Sequence, residues 1–255
     1  MYPIFLKFGV VTVYSYGVMV AIGFALAAAL IYRRAERFGI DKDKAVDLAI
    51  IILISGILGA RGLYVLLNLP FYLANPVEIV MLSKGGLVWY GGFILSLAAV
   101  IIYIRMNSLD IWAVVDLIAP YAALAQSFGR IGCFLNGCCY GIKMNACAPL
   151  AVTFPSGADP RLPVQLISAG LLFLIFLILL VRQAHRRFGG EIFFSYCMLY
   201  SLKRFAMEFL RGDNPRVFLG LTMSQLISVL VFIAALILFL HKARLWKKSL
   251  TISKS

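Results

Sequence analysis

Long apolar runs separated by short polar segments recur near residues 14–32, 46–67, 86–104, 112–134, 163–181, 191–210 and 221–241, with few charges inside each. Each run approaches the ~20 residues that a helix needs to cross a bilayer. The pattern predicts an all-α integral membrane protein of about seven transmembrane helices. No Ser- or Pro-rich linker, low-complexity tract or repeat divides the chain, so residues 1–255 are expected to form a single transmembrane domain. With seven spans, the longer connections 68–85 and 141–163 fall on one side of the membrane together with the short RGDNPR segment. The first of these contains Pro70, Pro76 and an amphipathic stretch, VEIVMLSK, suited to the interface plane.

Composition reinforces the pattern. The chain is 62% hydrophobic and 14% charged, with a mean hydropathy of +0.94, which excludes an ordinary water-soluble domain. A net charge of +13 invites a nucleic-acid reading, but the placement of the charge argues against it. More than half of the 24 basic residues fall in YRRAERFGIDKDK, at Arg105, in RQAHRRFGG and in HKARLWKKSLTISK, four segments that alternate with the spans. The positive-inside rule assigns that side to the cytoplasm, with the N-terminus outside and the C-terminus cytoplasmic. No soluble face interleaves aromatic and basic residues, so no nucleic-acid partner is expected. Ala25-Leu26-Ala27 imitates a leader cleavage site, yet the apolar run continues to Tyr32 and ends in Arg33-Arg34, a stop-transfer pattern. The first span is therefore expected to remain in the protein.

Charges inside the spans then need a purpose, because each costs about 2.5–3.5 kcal/mol at the bilayer centre on insertion scales. Arg61, Arg130, Arg204 and Arg211 all lie toward the outer ends of the second, fourth and sixth spans. Tyr200, Arg204, Glu208 and Arg211 are spaced four, four and three residues apart, which puts them on one helix face. Glu208 can serve as an internal salt-bridge partner for an adjacent arginine. One carboxylate does not neutralise four guanidiniums, and the excess suits an anionic ligand with several oxygens, a phospholipid phosphate above all. Gly85-Gly86 and Gly91-Gly92 bracket LVWY, and Gly129, Gly132, Gly137 and Gly141 surround Arg130. Close helix packing or an opened cavity both account for them. Cys133, Cys138, Cys139 and Cys147 follow no common zinc or haem spacing. They read first as small buried residues, with a disulfide from Cys147 to Cys138 or Cys139, or metal ligation, as lesser alternatives. His185 and His241 fall in the basic cytoplasmic segments, where solvated side chains are expected.

GRIGCFLNGCCYG, GGLVWYGGF, YSLKRFAMEFLRGD, SYGVMVAIGF and GLTMSQLIS together, across nearly the whole chain, resemble the prolipoprotein diacylglyceryl transferase family. The resemblance implies a multi-pass bacterial inner (plasma) membrane enzyme with its active site toward the periplasmic or outer side. It implies transfer of the diacylglyceryl group of phosphatidylglycerol to the lipobox cysteine of a preprolipoprotein signal peptide, within the lipid bilayer, with release of glycerol 1-phosphate and with no metal or organic cofactor. Carried over residue by residue, it makes Arg130 and Arg204 the essential pair and puts Tyr90 in the slot where the family has a histidine proposed as base. Tyr16, Arg61, Asn136, Gly141, Tyr200, Glu208 and Arg211 become substrate-binding or supporting residues. Cys133 stands where the family commonly has asparagine and Cys138 where it has an acidic residue, while RLPVQLIS stands in place of HPTQLYE.

The implied reaction is an alkylation in which a thiolate attacks the glycerol carbon and a phosphate leaves. Arg130 and Arg204 are the expected stabilisers of that charge, and Tyr90 is expected to orient substrate while the arginine field favours the thiolate. A non-catalytic phospholipid- or lipoprotein-binding relative is a second reading. An anion or lipid transporter is a third, opposed by the aliphatic cytoplasmic halves of the spans.

Overall fold

The computed structural model describes every residue except 9–10, 82–84, 146–148, 150, 155–158, 212–214, 219 and 253–255. Among the described residues, seven helices have 18 residues or more: α1 (Ser15–Arg34), α2 (Lys42–Leu67), α4 (Trp89–Met106), α5 (Ile111–Asn136), α6 (Val164–Ala184), α7 (Glu191–Glu208) and α8 (Met223–Ile252). A short α3 (Leu69–Ala74) follows α2. Six of the long helices are apolar enough to cross a membrane. The seventh, α7, carries Glu191, Lys203, Arg204 and Glu208, and its charges keep it from qualifying on composition. The helices coincide with the apolar runs to within a few residues, except that α8 continues from the expected end near 241 to Ile252. Its extension, HKARLWKKSLTI, contains no Gly or Pro to stop it and is rich in good helix formers.

Exposed apolar side chains such as Leu58, Ile94 and Leu230, each more than 60% accessible, cover the long helices. Apolar surface on this scale suits lipid rather than water. Residues cluster into two compact units, 31–114 in one and 1–30 with 115–255 in the other.

In the smaller unit, α2 and α4 approach until glycine is required. A Cβ on Gly59 would collide with the carbonyl of Gly91, one on Gly91 with the carbonyl of Gly59, and one on Gly92 would stand 2.7 Å from the carbonyl of Gly56. Ser55 donates to Ser96 Oγ at 3.1 Å, and Ser96 donates to the Ile52 carbonyl at 3.2 Å. Small residues with interhelical hydroxyls are the usual means of joining helices in a medium that offers no hydrophobic gain between them.

In the larger unit, α5 is the central element. Some 56% of its spanning window is buried, against 11–17% for α1, α2, α4 and α8. Three small hairpins, β1–β2 (Ile4–Phe8, Val11–Tyr14), β3–β4 (Val152–Thr153, Pro160–Arg161) and β5–β6 (Arg216–Phe218, Leu221–Thr222), complete it. Pro120 sits inside α5 and has no N–H, so the carbonyl four residues earlier, that of Asp116, loses its helical donor. Gln183 of α6 supplies the replacement, donating to the Asp116 carbonyl at 2.9 Å. The Asp116 carboxylate, fully buried, accepts from the backbone N–H of Gly190 at 2.7 Å and of Phe193 at 2.8 Å, and pairs with Arg186 Nε at 2.8 Å. It thereby caps the start of α7 from a different helix. Ser127 of α5 donates to the Ala169 carbonyl of α6 at 2.9 Å, and Gln126 donates to Tyr196 of α7 at 2.7 Å. The first turns of α7 are thus fixed against α5 by polar contacts that leave the later α7 residues free to build a site.

Candidate functional site

The site is built at the C-terminal end of α7 and the C-terminal end of α5. On α7, Arg204 Nη2 pairs with Glu208 Oε2 one turn on at 3.2 Å and donates to Ser224 Oγ of α8 at 2.7 Å. Glu208 is 3% exposed, and its other oxygen accepts from the Thr222 hydroxyl at 2.9 Å. Thr222 is also the N-cap of α8. Its backbone N–H donates to Gln225 Oε1 at 3.0 Å, and the Gln225 N–H donates to Thr222 Oγ1 at 3.3 Å. This reciprocal pair is a capping box, T-x-x-Q. It fixes the hydroxyl that Glu208 needs, so Glu208 is held as a structural partner by both of its oxygens.

Arg130 is arranged differently. It lies two turns from the end of α5, half-buried, and among the described residues its guanidinium makes no hydrogen bond and no ion pair. Its electrostatic neighbours are the Tyr16 phenol, Cys139 and Lys203. Lys203, 7% exposed, stands 5.4 Å over the Tyr200 ring and feels the positive charge of both Arg130 and Arg204. Lys203 precedes Arg204 in YSLKRF and was not among the residues expected from the sequence, although its charge inside an apolar run was a visible signal. Lys203 thus joins Arg130 and Arg204 in one basic cluster, in which Arg204 pairs with the Glu208 carboxylate.

Among the other expected residues, Tyr16 begins α1 and is 45% exposed. A Cβ on Gly132 of α5 would lie 3.2 Å from both its Cα and its ring, so Gly132 lets this tyrosine approach the Arg130 turn. Tyr200 is half-buried with its ring 5.7 Å from that of Tyr196. Asn136 is exposed and ends α5. Gly141 is buried where three segments join. Its N–H donates to the Leu162 carbonyl at 3.0 Å, the next N–H to the Leu210 carbonyl at 3.1 Å, and a Cβ would stand 2.5 Å from Val164 and 2.7 Å from the Leu210 oxygen. Arg211 is half-buried at the end of α7 and lies within electrostatic reach of Cys139.

Arg61 and Tyr90 belong to the other unit. Arg61 is 6% exposed, and its five N–H groups all have carbonyl acceptors: Nε to Ile79 at 2.9 Å, Nη1 to Gly85 at 2.7 Å and Gly86 at 3.1 Å, Nη2 to Glu78 at 2.6 Å and Met81 at 3.3 Å. Flanked by the Tyr64 and Tyr72 rings, it organises the Pro76–Val80 3-10 turn and the Gly85-Gly86 bend, which holds the described part of VEIVMLSK. Its side chain has no N–H left for an anion, and this is where the structure departs from the substrate-binding expectation. Tyr90 is 64% exposed at the start of α4, edge-on to Trp89 with centroids 5.3 Å apart. Cys147 and the middle half of RGDNPR, residues 212–214, lie outside the described residues.

This geometry coincides with a match along the sequence. A family model described as prolipoprotein diacylglyceryl transferase matches residues 3–241. The chain belongs to that family. Among its relatives, the phosphatidylglycerol--prolipoprotein diacylglyceryl transferase of Clostridium tetani is 34% identical over 94% of this chain and 97% of its own length. The enzyme of that name from Enterococcus faecalis is 33% identical over 94% and 90%, and that from Solidesulfovibrio magneticus is 35% identical over 94% of each. As a prolipoprotein diacylglyceryl transferase family member, this chain is a transferase and a membrane protein, and its long apolar helices accord with that.

Proposed function

We propose that this chain transfers the diacylglyceryl group of phosphatidylglycerol to the lipobox cysteine thiol of preprolipoproteins at the outer face of a bacterial inner membrane, with Arg130 as the principal phosphate ligand. The observation that carries this reading is the contrast between the arginines. Arg61 has all five donors occupied and Arg204 is shared between Glu208 and Ser224, whereas Arg130 keeps its planar donor fork uncommitted among the described residues at the edge of a cationic cluster. A guanidinium so placed is suited to two oxygens of one phosphate.

In the reaction the cysteine S–H gives up its proton, the sulfur pair forms the C–S bond to the glycerol carbon, and the C–O bond breaks with its pair going to the phosphate oxygen. The phosphodiester monoanion becomes a phosphomonoester dianion, and the proton passes to that phosphate or to water. Charge therefore grows on the leaving group as the bond breaks. Preorganised cations act most strongly at that point, because they need no reorientation and little water screens them. Arg130 binds the phosphate, Arg204 and Lys203 hold positive potential beside it, and Glu208 with Thr222 fixes Arg204. The same field favours the thiolate of the incoming cysteine. The role of orienting substrate is given to Tyr90 by its family slot alone. An apolar cavity of about 170 Å³ between α7 and α8, lined by Leu202 and Phe205 of α7 and Val229 and Phe232 of α8, suits part of an acyl chain.

The test is incubation of the purified protein with phosphatidylglycerol and a lipobox peptide. Mass spectrometry is expected to show a thioether-linked diacylglyceryl adduct, absent when the peptide cysteine is replaced by serine. Phospholipid binding without any adduct sinks the enzyme reading in favour of a binding relative. Near-wild-type transfer by Tyr90→Phe removes Tyr90 from the mechanism.

A further inference from the structure

The end of α5 brings three thiols together. Gly137, at φ 74°, occupies the left-handed position just past the helix. Its N–H donates to the Phe134 carbonyl at 3.1 Å, and the next N–H, of Cys138, donates to the Cys133 carbonyl at 3.1 Å. This is the Schellman arrangement, and it characteristically packs the side chain one residue after the glycine against that of the fourth residue before it. Here those two side chains are Cys138 and Cys133. Cys139 follows in a left-handed conformation of its own, at φ 62°, and its sulfur completes the group, so that the Sγ atoms of Cys133, Cys138 and Cys139 all lie within 4.8 Å of one another. The thiols are free and half-buried.

We propose that Cys133, Cys138 and Cys139 form a three-thiolate site for a thiophilic closed-shell cation such as Zn²⁺ or Cu⁺. Thiolates bound to one such ion at about 2.3 Å have sulfurs about 3.8–4.0 Å apart, so small side-chain rotations close the site. Arg130 and Arg211 lie within electrostatic reach of Cys139, and positive charge favours the thiolate that a metal requires. A second observation points to a ligand at the same place. Gln165, fully buried, donates to the Cys138 carbonyl at 2.7 Å, while its Oε1 is buried without a hydrogen-bond partner. That oxygen belongs to the same amide that holds the Cys138 carbonyl, and a buried acceptor left unpaired there calls for a donor. Three thiolates on a divalent ion carry a net negative charge, which binds next to Arg130. Resting on the proposed function, occupancy of the site then competes with phosphate for Arg130 and slows transfer.

The test uses the full-length protein in detergent, reduced and freed of metal, titrated with Zn²⁺ and with Cd²⁺ as an ultraviolet probe. The expected result is one ion per chain, a thiolate-to-metal charge-transfer band, and protection of Cys133, Cys138 and Cys139 from alkylation mapped by mass spectrometry. Binding is expected to persist in a Cys147→Ser, Cys197→Ser chain and to weaken on the order of 10–100-fold or more in Cys138→Ser or Cys139→Ser. Alkylation mapping on the unsubstituted chain reads the site even if a variant fails to fold. Absence of metal uptake by the reduced protein overturns the proposal, as does metal that leaves the three thiols fully reactive. A lack of transfer by the reduced, metal-free protein, with its metal uptake intact, contradicts the proposed function and leaves the site standing.

Discussion

Arg61 and Arg130 are both arginines on apolar helices long enough to cross a membrane, and their surroundings are opposite. Five carbonyls enclose Arg61, and a Lys in its place has three donors on one atom, which do not reach acceptors arranged around a planar fork. Arg61→Lys is expected to loosen the segment from Glu78 to Gly86, read as faster limited proteolysis there. Gln183 is a second case where one side chain repairs a backbone defect. Gln183→Leu leaves the carbonyl freed by Pro120 unpaired in the buried interior and is expected to cost about 1–3 kcal/mol, seen as a lower thermal unfolding midpoint in detergent. The cationic surplus was legible in the sequence because lone arginines in apolar runs are conspicuous. The role of Arg61 was not, since its acceptors are backbone carbonyls that leave no trace in residue identity. Lys203 was visible as a charge in an apolar run and was not among the residues expected.

At the level of elements, the apolar runs and basic segments foretold the helices to within a few residues, since chain length in lipid and charge at its boundary are both composition signals. The joints between helices were less legible. GLTMSQLIS contains the T-x-x-Q capping box in plain view, and NGC after α5 contains the Schellman signature that pairs Cys133 with Cys138, yet each acquires meaning only once the helix end is known. Thr222→Val removes the cap of α8 and the hydroxyl that holds Glu208. It is expected to destabilise by about 1–2 kcal/mol and to reduce transfer, while Thr222→Ser retains both. The glycines of GGLVWYGGF divide into two uses. Gly91 and Gly92 admit the carbonyls of α2, and Gly86, at φ 81°, admits the Arg61 and Tyr64 side chains. Gly91→Leu is expected to separate α2 from α4 and cost on the order of 1–3 kcal/mol or more, measured as loss of folded protein by size exclusion in detergent.

For the whole molecule, the positive-inside rule leads to the expectation that one end of the helices faces the cytoplasm and that the Arg130 cluster lies at the other. Single cysteines introduced at Ser108 and at Lys143 in a cysteine-free background are expected to react with impermeant reagents from the cytoplasmic and outer sides respectively. The reverse pattern overturns the orientation. The central claim is narrower: Arg130 is the guanidinium kept free for the phosphate that leaves. Its most direct test is the rate of thioether formation from phosphatidylglycerol and a lipobox peptide by Arg130→Ala, beside the unsubstituted chain at matched folded concentration. The predicted result is a fall on the order of 10²–10³-fold; a rate within a few-fold of the unsubstituted chain contradicts it.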